Sequence, residues 1–218
     1  MECFSRQALG VECCADVSIL QRPDIDAPRW NVKVYDQDAL SPGYWFQATY
    51  EYVSQSDDDN KAWVGPHIYD QEGELIWSGA PFFEGYNIKD FKVSNVNGED
   101  MLTGIWTRKG VDVVLNNKYE IHKELNAAPE KGNSLNIHGF NTVANGTRAL
   151  AMTLRVAKAS VEESQRVGFD GRCKVQFPGF EEYDTSTWEQ TFSWTAEDRI
   201  HLDEVYVGTN CKGNWDYL

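Results

Sequence analysis

The residues of this sequence best suited to chemistry near neutral pH are its four histidines, because an imidazole can act there as acid, base or nucleophile. His138 is the most informative of them. It lies in LNIHGF (135–140), where an ordinary half-buried strand would have Val, Ile or Thr at this position. A histidine alone in a strand is more often a hydrogen-bonded packing residue than a catalyst. The role of His138 therefore has to be inferred from the surrounding sequence.

The other histidines match no catalytic pattern, and we predict structural roles for them. His67 follows a proline in a hairpin, His122 lies in a polar strand, and His201 lies in RIHLDE. The acidic run Asp57–Asp59 lacks the alternating spacing and distant Glu of a calcium loop, so it is predicted to be solvated charge. The sequence predicts no metal ion and no cofactor.

The cysteines also argue against a metal. None of the five has CxxC spacing, which a structural zinc site would need; they are Cys3, Cys13, Cys14, Cys173 and Cys211. Cys173 and Cys211 would pair as a disulfide in an oxidising compartment, and two free buried thiols are the alternative.

Charge and hydropathy exclude two classes of partner. The net charge is -14, from 34 acidic and 20 basic residues, so the average field repels phosphate backbones and anionic lipid headgroups. No stretch approaches the roughly 18 apolar residues of a membrane helix. We therefore predict no nucleic-acid or membrane partner.

The compartment is left open by the sequence. Residues 1–20 lack the apolar block of a signal peptide. In contrast, Asn145-Gly146-Thr147 fits the acceptor pattern for N-glycosylation, with Asn145 as the modified residue, and this pattern would indicate secretion.

The elements that must position these residues are short strands separated by turn signals. Aromatic residues make up 13% of the chain and recur at strand-like positions from Tyr44 onward. Residues 1–30 lack periodicity and contain two Xaa-Pro breaks, which predicts a leader that is poorly ordered or wraps over the fold. Residues 31–218 are predicted to be the folded β part, with a polar helical insert at AKASVEESQRVG (157–168).

Three hairpins resemble one another, each with an apolar strand, a polar turn and a second strand. They are HIYDQEGELIWSG (67–79), VVLNNKYEIHKEL (113–125) and GFEEYDTSTWEQTFSW (179–194). Repeats of about 45 residues with four strands each are typical of β-propeller blades. The pattern predicts an all-β fold and favours a propeller over a β-sandwich, with room for about three to four blades.

Several blocks, in unbroken order, resemble the fungal arylsulfotransferase-like proteins. They are SPGYWF (41–46), VGPHIYDQEGELIWSG (64–79), DFKVSNVNGEDMLTGIW (90–106), LNIHGFNTVANGTRALAMTL (135–154), VGFDGRC (167–173), GFEEYDTSTWEQTFSW (179–194) and WDYL (215–218). The resemblance implies a six-bladed β-propeller, of which this chain would hold an incomplete part. It also implies secretion.

The same resemblance implies a chemistry. Relatives transfer a sulfuryl group from an aryl sulfate to a phenol through a histidine intermediate, which divides one hard step into two. The block around His138 implies that this residue faces the channel and binds the substrate. Where the family has an acidic residue next, this sequence has Gly139, so the orientation that the acid gives the imidazole is missing.

The reactive histidine of the family would lie beyond WDYL, so we expect this chain alone not to transfer sulfate. The alternative is a non-catalytic secreted binding module built on a half-propeller. In either case, the exposed faces of an open propeller are expected to favour self-association.

Overall fold

The computed structural model describes residues 5–7, 10–12, 25–51, 63–126, 132–197 and 199–204, and for 5–7 and 10–12 the backbone only. Asp57–Asp59, Cys211 and the WDYL block lie outside these ranges, as do Cys3, Cys13 and Cys14. The predictions on those residues therefore stay predictions.

Strands dominate the described residues. In chain order they are β1 Ser5–Gln7, β2 Gly10–Glu12, β3 Trp45–Thr49, β4 Gly65–Tyr69, β5 Leu75–Ser78, β6 Ile88–Val96, β7 Glu99–Trp106, β8 Val111–Leu115, β9 Ile121–Leu125, β10 Asn133–Val143, β11 Arg148–Lys158, β12 Lys174–Asp184 and β13 Gln190–Thr195. One α-helix, α1, spans Val161–Arg166, and a 3-10 helix spans Leu202–Glu204. The all-β prediction is confirmed.

The strands pair with their neighbours in sequence. Beyond the β1-β2 ribbon, the described residues form sheets with the orders β3-β4-β5, β6-β7-β8-β9 and β10-β11-β12-β13, and none of these closes on itself. Consecutive antiparallel strands with short turns explain this order, because a tight turn returns the chain to the edge that it has just left.

The three predicted hairpins are confirmed, and each is the last hairpin of its sheet: β4-β5, β8-β9 and β12-β13. They share an irregularity. In each hairpin the register shifts just before the turn, at Tyr69, Leu115 and Tyr183. A shift of this kind bends a strand and increases its twist.

The turns of these hairpins are also alike. The residue after each shift is Asp70, Asn116 or Asp184, and its side-chain oxygen accepts the backbone N–H two residues further on, at 2.9 to 3.0 Å. The N–H of the same residue donates to a glutamate carbonyl across the turn, at 2.9 to 3.0 Å. Asp and Asn are favoured in turns because their short side chains make this bond. The internal repeat therefore has a common local geometry.

The chain divides into two compact units, the first drawn from residues 1–92 and 106–109 and the second from 93–105 and 110–218. In the first unit, the Tyr69 hydroxyl donates to the Pro28 carbonyl at 2.7 Å, and the Trp30 ring meets Tyr69 edge-on. Trp106 is 5% exposed and packs edge-on against Phe83.

The core of the second unit lies between residues of β6–β9 and residues of β10–β12. Its buried members are Val96, Met101, Ile105, Val114, Leu125, Phe140, Ala149, Ala151 and Tyr183. The small Ala149 and Ala151 point to the same side of β11, which lets larger side chains approach the sheet.

Hairpin tips in the second unit are joined at Gly146. Its carbonyl accepts the Asn97 N–H at 2.8 Å and the Thr185 hydroxyl at 2.6 Å. Gly146 has φ +82, and a Cβ there would lie 2.2 Å from Oδ1 of Asn95. Only glycine therefore fits this position without displacing its neighbour.

The predicted helical insert contains the short helix α1. Ser160 caps it, with its hydroxyl accepting the Glu163 N–H at 3.0 Å, in the Ser-x-x-Glu pattern of a capping box. A second buried cluster lies nearby, made of Ala159, Cys173, Val175, Phe177, Ala196 and Leu202.

Candidate functional site

His138 lies in a bulge on the edge strand of its sheet. β10 pairs Leu135 with Thr153 and then Phe140 with Ala151, so residues 136–139 face only Met152 of β11. The extra residues do not pair with β11, so the alternation of side chains between the two faces of the sheet is interrupted there. The side chains in the bulge therefore change direction. The His138 side chain is exposed. The predicted strand at this residue is confirmed, since β10 includes His138, but the register slips around it.

Asn136 fixes the imidazole. Its side chain is 7% exposed, and its Oδ1 accepts the His138 backbone N–H at 3.2 Å and also contacts Nδ1 of the ring. An amide oxygen only accepts, so Nδ1 carries the proton in the neutral ring and Nε2 carries the lone pair. The acceptor nitrogen is thereby defined by a buried neighbour.

This arrangement defines what the ring can do. Neutral His138 can accept a proton from a phenol or attack an electrophile at Nε2. In its protonated form, the same nitrogen donates to an anionic oxygen.

Gly139 is closely packed against Met152. A Cβ at this position would lie 3.0 Å from Sδ of Met152, which is tighter than ordinary contact. A larger side chain at 139 therefore requires the thioether to move.

His67 is fully buried, and its Nε2 lies 3.1 Å from the Trp63 carbonyl, to which it donates. Burial lowers the pKa of His67, and the Trp63 hydrogen bond opposes this effect in part. The ring is therefore neutral at neutral pH. These contacts agree with the predicted structural role.

His122 and His201 are exposed and have local partners. The His122 ring lies edge-on to Trp188, with centroids 6.2 Å apart. Nδ1 of His201 lies 2.8 Å from a carboxylate oxygen of Glu163. The structure brings neither of them together with His138 in the contacts that it shows.

Asn145 and Cys173 are the other predicted site residues in the described ranges. Asn145 is exposed in the turn between β10 and β11, where the Thr147 hydroxyl donates to the Ala144 carbonyl at 2.8 Å. Cys173 is buried and disulfide-bonded. Its pairing with Cys211 stays a prediction, because Cys211 lies outside the described residues.

Sequence reasoning did not single out Glu181, a carboxylate buried on β12. It accepts hydrogen bonds from the Tyr183 hydroxyl at 2.5 Å and from the Asn133 amide at 3.1 Å. Buried polar groups need such partners. The alternation of β12 could have located it, since Glu181 falls in phase with the buried Phe177 and Tyr183.

Within the described ranges, no cluster of three or more His, Cys, Asp or Glu side chains could hold a metal ion. Among the same residues, no helix has the length and apolarity to span a membrane.

Fold and site together define an all-β protein of consecutive antiparallel sheets with an oriented, exposed histidine on an edge-strand bulge. Comparison with family models, with curated proteins and with solved structures found no match to this chain. The resemblance to arylsulfotransferase-like proteins therefore stays a prediction.

Proposed function

We propose that this chain is part of an arylsulfotransferase-like β-propeller whose sheets are consecutive blades and whose His138 binds an aryl sulfate or a phenol. The observation that carries the proposal is the contact of the exposed His138 side chain with buried Asn136, which orients the imidazole through Nδ1. The repeated hairpin, with its common register shift and Asx-turn, supports the blade interpretation.

Each ligand would use Nε2 in one of its two states. A phenol hydroxyl donates to the neutral ring, while a sulfuryl oxygen accepts from the protonated ring. Because Asn136 already holds Nδ1, little ordering of the imidazole is required when a ligand binds.

The test compares His138→Gln with His122→Gln, which removes another exposed histidine from the same unit. We expect 4-nitrophenyl sulfate to shift the imidazole signals of His138 in NMR spectra, and His138→Gln to weaken binding about tenfold. The His122→Gln variant should bind as the wild type does. Equal binding by both variants would contradict the proposal. Release of 4-nitrophenolate, followed in the same samples, tests the separate expectation that the chain alone does not transfer sulfate.

A second function, as an interaction module, is favoured by the outer face of β10–β13. Phe180 stacks on Trp194 with centroids 6.0 Å apart, next to Phe192, which is 50% exposed, and Met152, which is 37% exposed. The opposite face of β12 is already buried. We propose that a second copy of this chain covers the outer face, since it supplies an identical apolar sheet surface.

The double variant Met152→Gln, Phe192→Ser tests this pairing by sedimentation equilibrium. Wild-type protein should dimerise with increasing concentration, and the double variant should stay monomeric. As a matched control, the double variant Ile76→Gln, Val93→Ser removes two apolar side chains of similar exposure elsewhere. A wild-type protein that is monomeric at all concentrations, or a control that also loses the dimer, would exclude this function.

A further inference from the structure

A cavity of about 370 Å³ lies beside α1 in the second unit, and His138 is not part of it. Buried Phe177 and Leu202, together with Ile200, provide its apolar lining. Lys158 and Arg172 lie at the same cavity. Its volume is in the range of cavities that hold small organic molecules.

The acidic side chains of this cavity are engaged in pairs. Glu163 accepts from Nδ1 of His201 at 2.8 Å and from the Leu202 N–H at 3.0 Å, and Nε of Arg166 lies 3.0 Å away. Glu197 pairs with Arg155 at 2.9 Å. These carboxylates therefore have cationic partners of their own. Glu162 also lines the cavity, and it lies 3.6 Å from Arg166.

Lys158 and Arg172 differ from the paired charges described above. Among the described residues, neither has a carboxylate within ion-pair distance. The Arg172 guanidinium donates from Nε to the Ala159 carbonyl at 2.8 Å and from Nη2 to the Lys158 carbonyl at 2.9 Å. Carbonyls orient the guanidinium without neutralising it, and they leave further N–H groups available.

The local charge is further increased by Lys174, which lies directly opposite Lys158 in the β11-β12 pair. Like charges at directly opposed positions destabilise a sheet. Two directly opposed lysines are unexpected in a protein of net charge -14, and a bound anion would relieve their repulsion.

We propose that this cavity binds a small aromatic oxyanion, a carboxylate or sulfate ester, with its charged group on Lys158 and Arg172 and its ring against Phe177, Ile200 and Leu202. Arg172 offers oriented donors that suit a planar or tetrahedral oxyanion. The inference is independent of the function proposed for His138, because the two sites share no residue.

The experiment uses isothermal titration of the whole chain with benzoate, 4-nitrophenyl sulfate, inorganic sulfate and the neutral 4-nitrobenzyl alcohol. We expect both aromatic anions to bind, with the neutral alcohol and inorganic sulfate at least about tenfold weaker, because each lacks one half of the recognised chemistry. Affinity should fall as salt is added. Saturable binding of the alcohol as tight as that of benzoate would overturn the proposal.

Lys158→Met is the informative variant, since its side chain is exposed and its loss leaves the backbone contacts of Arg172 in place. It should weaken benzoate binding about tenfold. Lys118→Met makes the same change in charge at an exposed turn and should have no effect. Arg172→Lys should also weaken binding, and its circular dichroism shows whether it is folded. Unchanged affinity in Lys158→Met, or no saturable binding of benzoate to wild type, would refute the site.

A parallel titration of His138→Gln separates the two proposals. Benzoate should bind this variant as it binds wild type, whatever happens to 4-nitrophenyl sulfate. Loss of benzoate binding in His138→Gln, with Lys158→Met unaffected, would assign the anion to the His138 site instead.

Discussion

The Oδ1 atom of buried Asn136 accepts the backbone N–H of exposed His138 and also holds the Nδ1 of its ring. A residue that is two positions away thus determines which nitrogen of the neutral imidazole carries the proton. We expect the substitution Asn136→Ala to cost about 1 to 2 kcal/mol of unfolding free energy and to release the ring into a mixture of tautomers. Two-bond ¹H–¹⁵N spectra report the tautomer directly, with the His122 signals as an internal control. A pure Nδ1–H form in the variant would contradict this role of Asn136.

Gly146 is expected to be sensitive to the smallest substitution. In Gly146→Ala the new Cβ would meet the side chain and backbone of Asn95, and the residue would keep a positive φ. We predict a loss of about 3 kcal/mol or more in urea denaturation. Gly98→Ala is the matched control, since Gly98 also has a positive φ but has open space around it. It should cost about 1 kcal/mol. If both variants lost the same unfolding free energy, the positive φ would explain the whole loss and the contact with Asn95 would contribute nothing.

The Asx-turns of the repeated hairpins can be tested at Asn116. Asn116→Ala removes the acceptor for the N–H groups of Lys118 and Glu120, and we expect it to cost about 1 kcal/mol. Asn117→Ala, at the neighbouring exposed position, should cost little. Chemical denaturation of both variants measures the difference, and an Asn117→Ala cost as large as that of Asn116→Ala would argue against the repeated turn.

The buried His67 is expected to make the stability of the fold depend on pH. Burial holds the folded-state pKa of His67 below its ordinary value of 6.5, so the unfolded chain binds more protons on this residue as the pH falls below that value. Stability should therefore decrease from about pH 7 to about pH 5. In His67→Gln, the part of this decrease that belongs to His67 should disappear, although the variant is less stable at neutral pH. Parallel urea titrations at the two pH values provide the test, and identical slopes in both proteins would contradict it.

The disulfide at Cys173 allows a test of the Cys173–Cys211 pairing that was predicted from the sequence. We expect peptide mapping under non-reducing conditions to find Cys173 joined to Cys211, and the substitution Cys211→Ser to cost about 2 to 4 kcal/mol. A peptide that joins Cys173 to Cys3, Cys13 or Cys14 would show that the predicted pairing is wrong.

Local sequence patterns predicted much of the fold. Alternating apolar residues and turn signals located the hairpins 67–79, 113–125 and 179–194, because strand pairing across a short turn depends on adjacent residues. The polar composition of residues 157–168 likewise predicted a helical insert, and α1 lies within it.

The candidate site could be predicted only in part. Sequence reasoning selected His138 for its unusual residue type and placed it in a strand, but it did not predict the bulge. The slip of β10 at residues 136–139 against Met152 depends on how β10 and β11 align at both ends of the bulge, and no local pattern encodes that alignment.

The sequence by itself determined the strands, the turns and the presence of a histidine where packing favours an apolar residue. The tertiary structure alone decided that Asn136 orients this histidine, and that Lys158, Arg172 and the apolar side chains of residues 177–202 share one cavity. The physical reason is range: backbone preferences act between neighbours in the chain, while a site requires side chains from distant positions to converge in space.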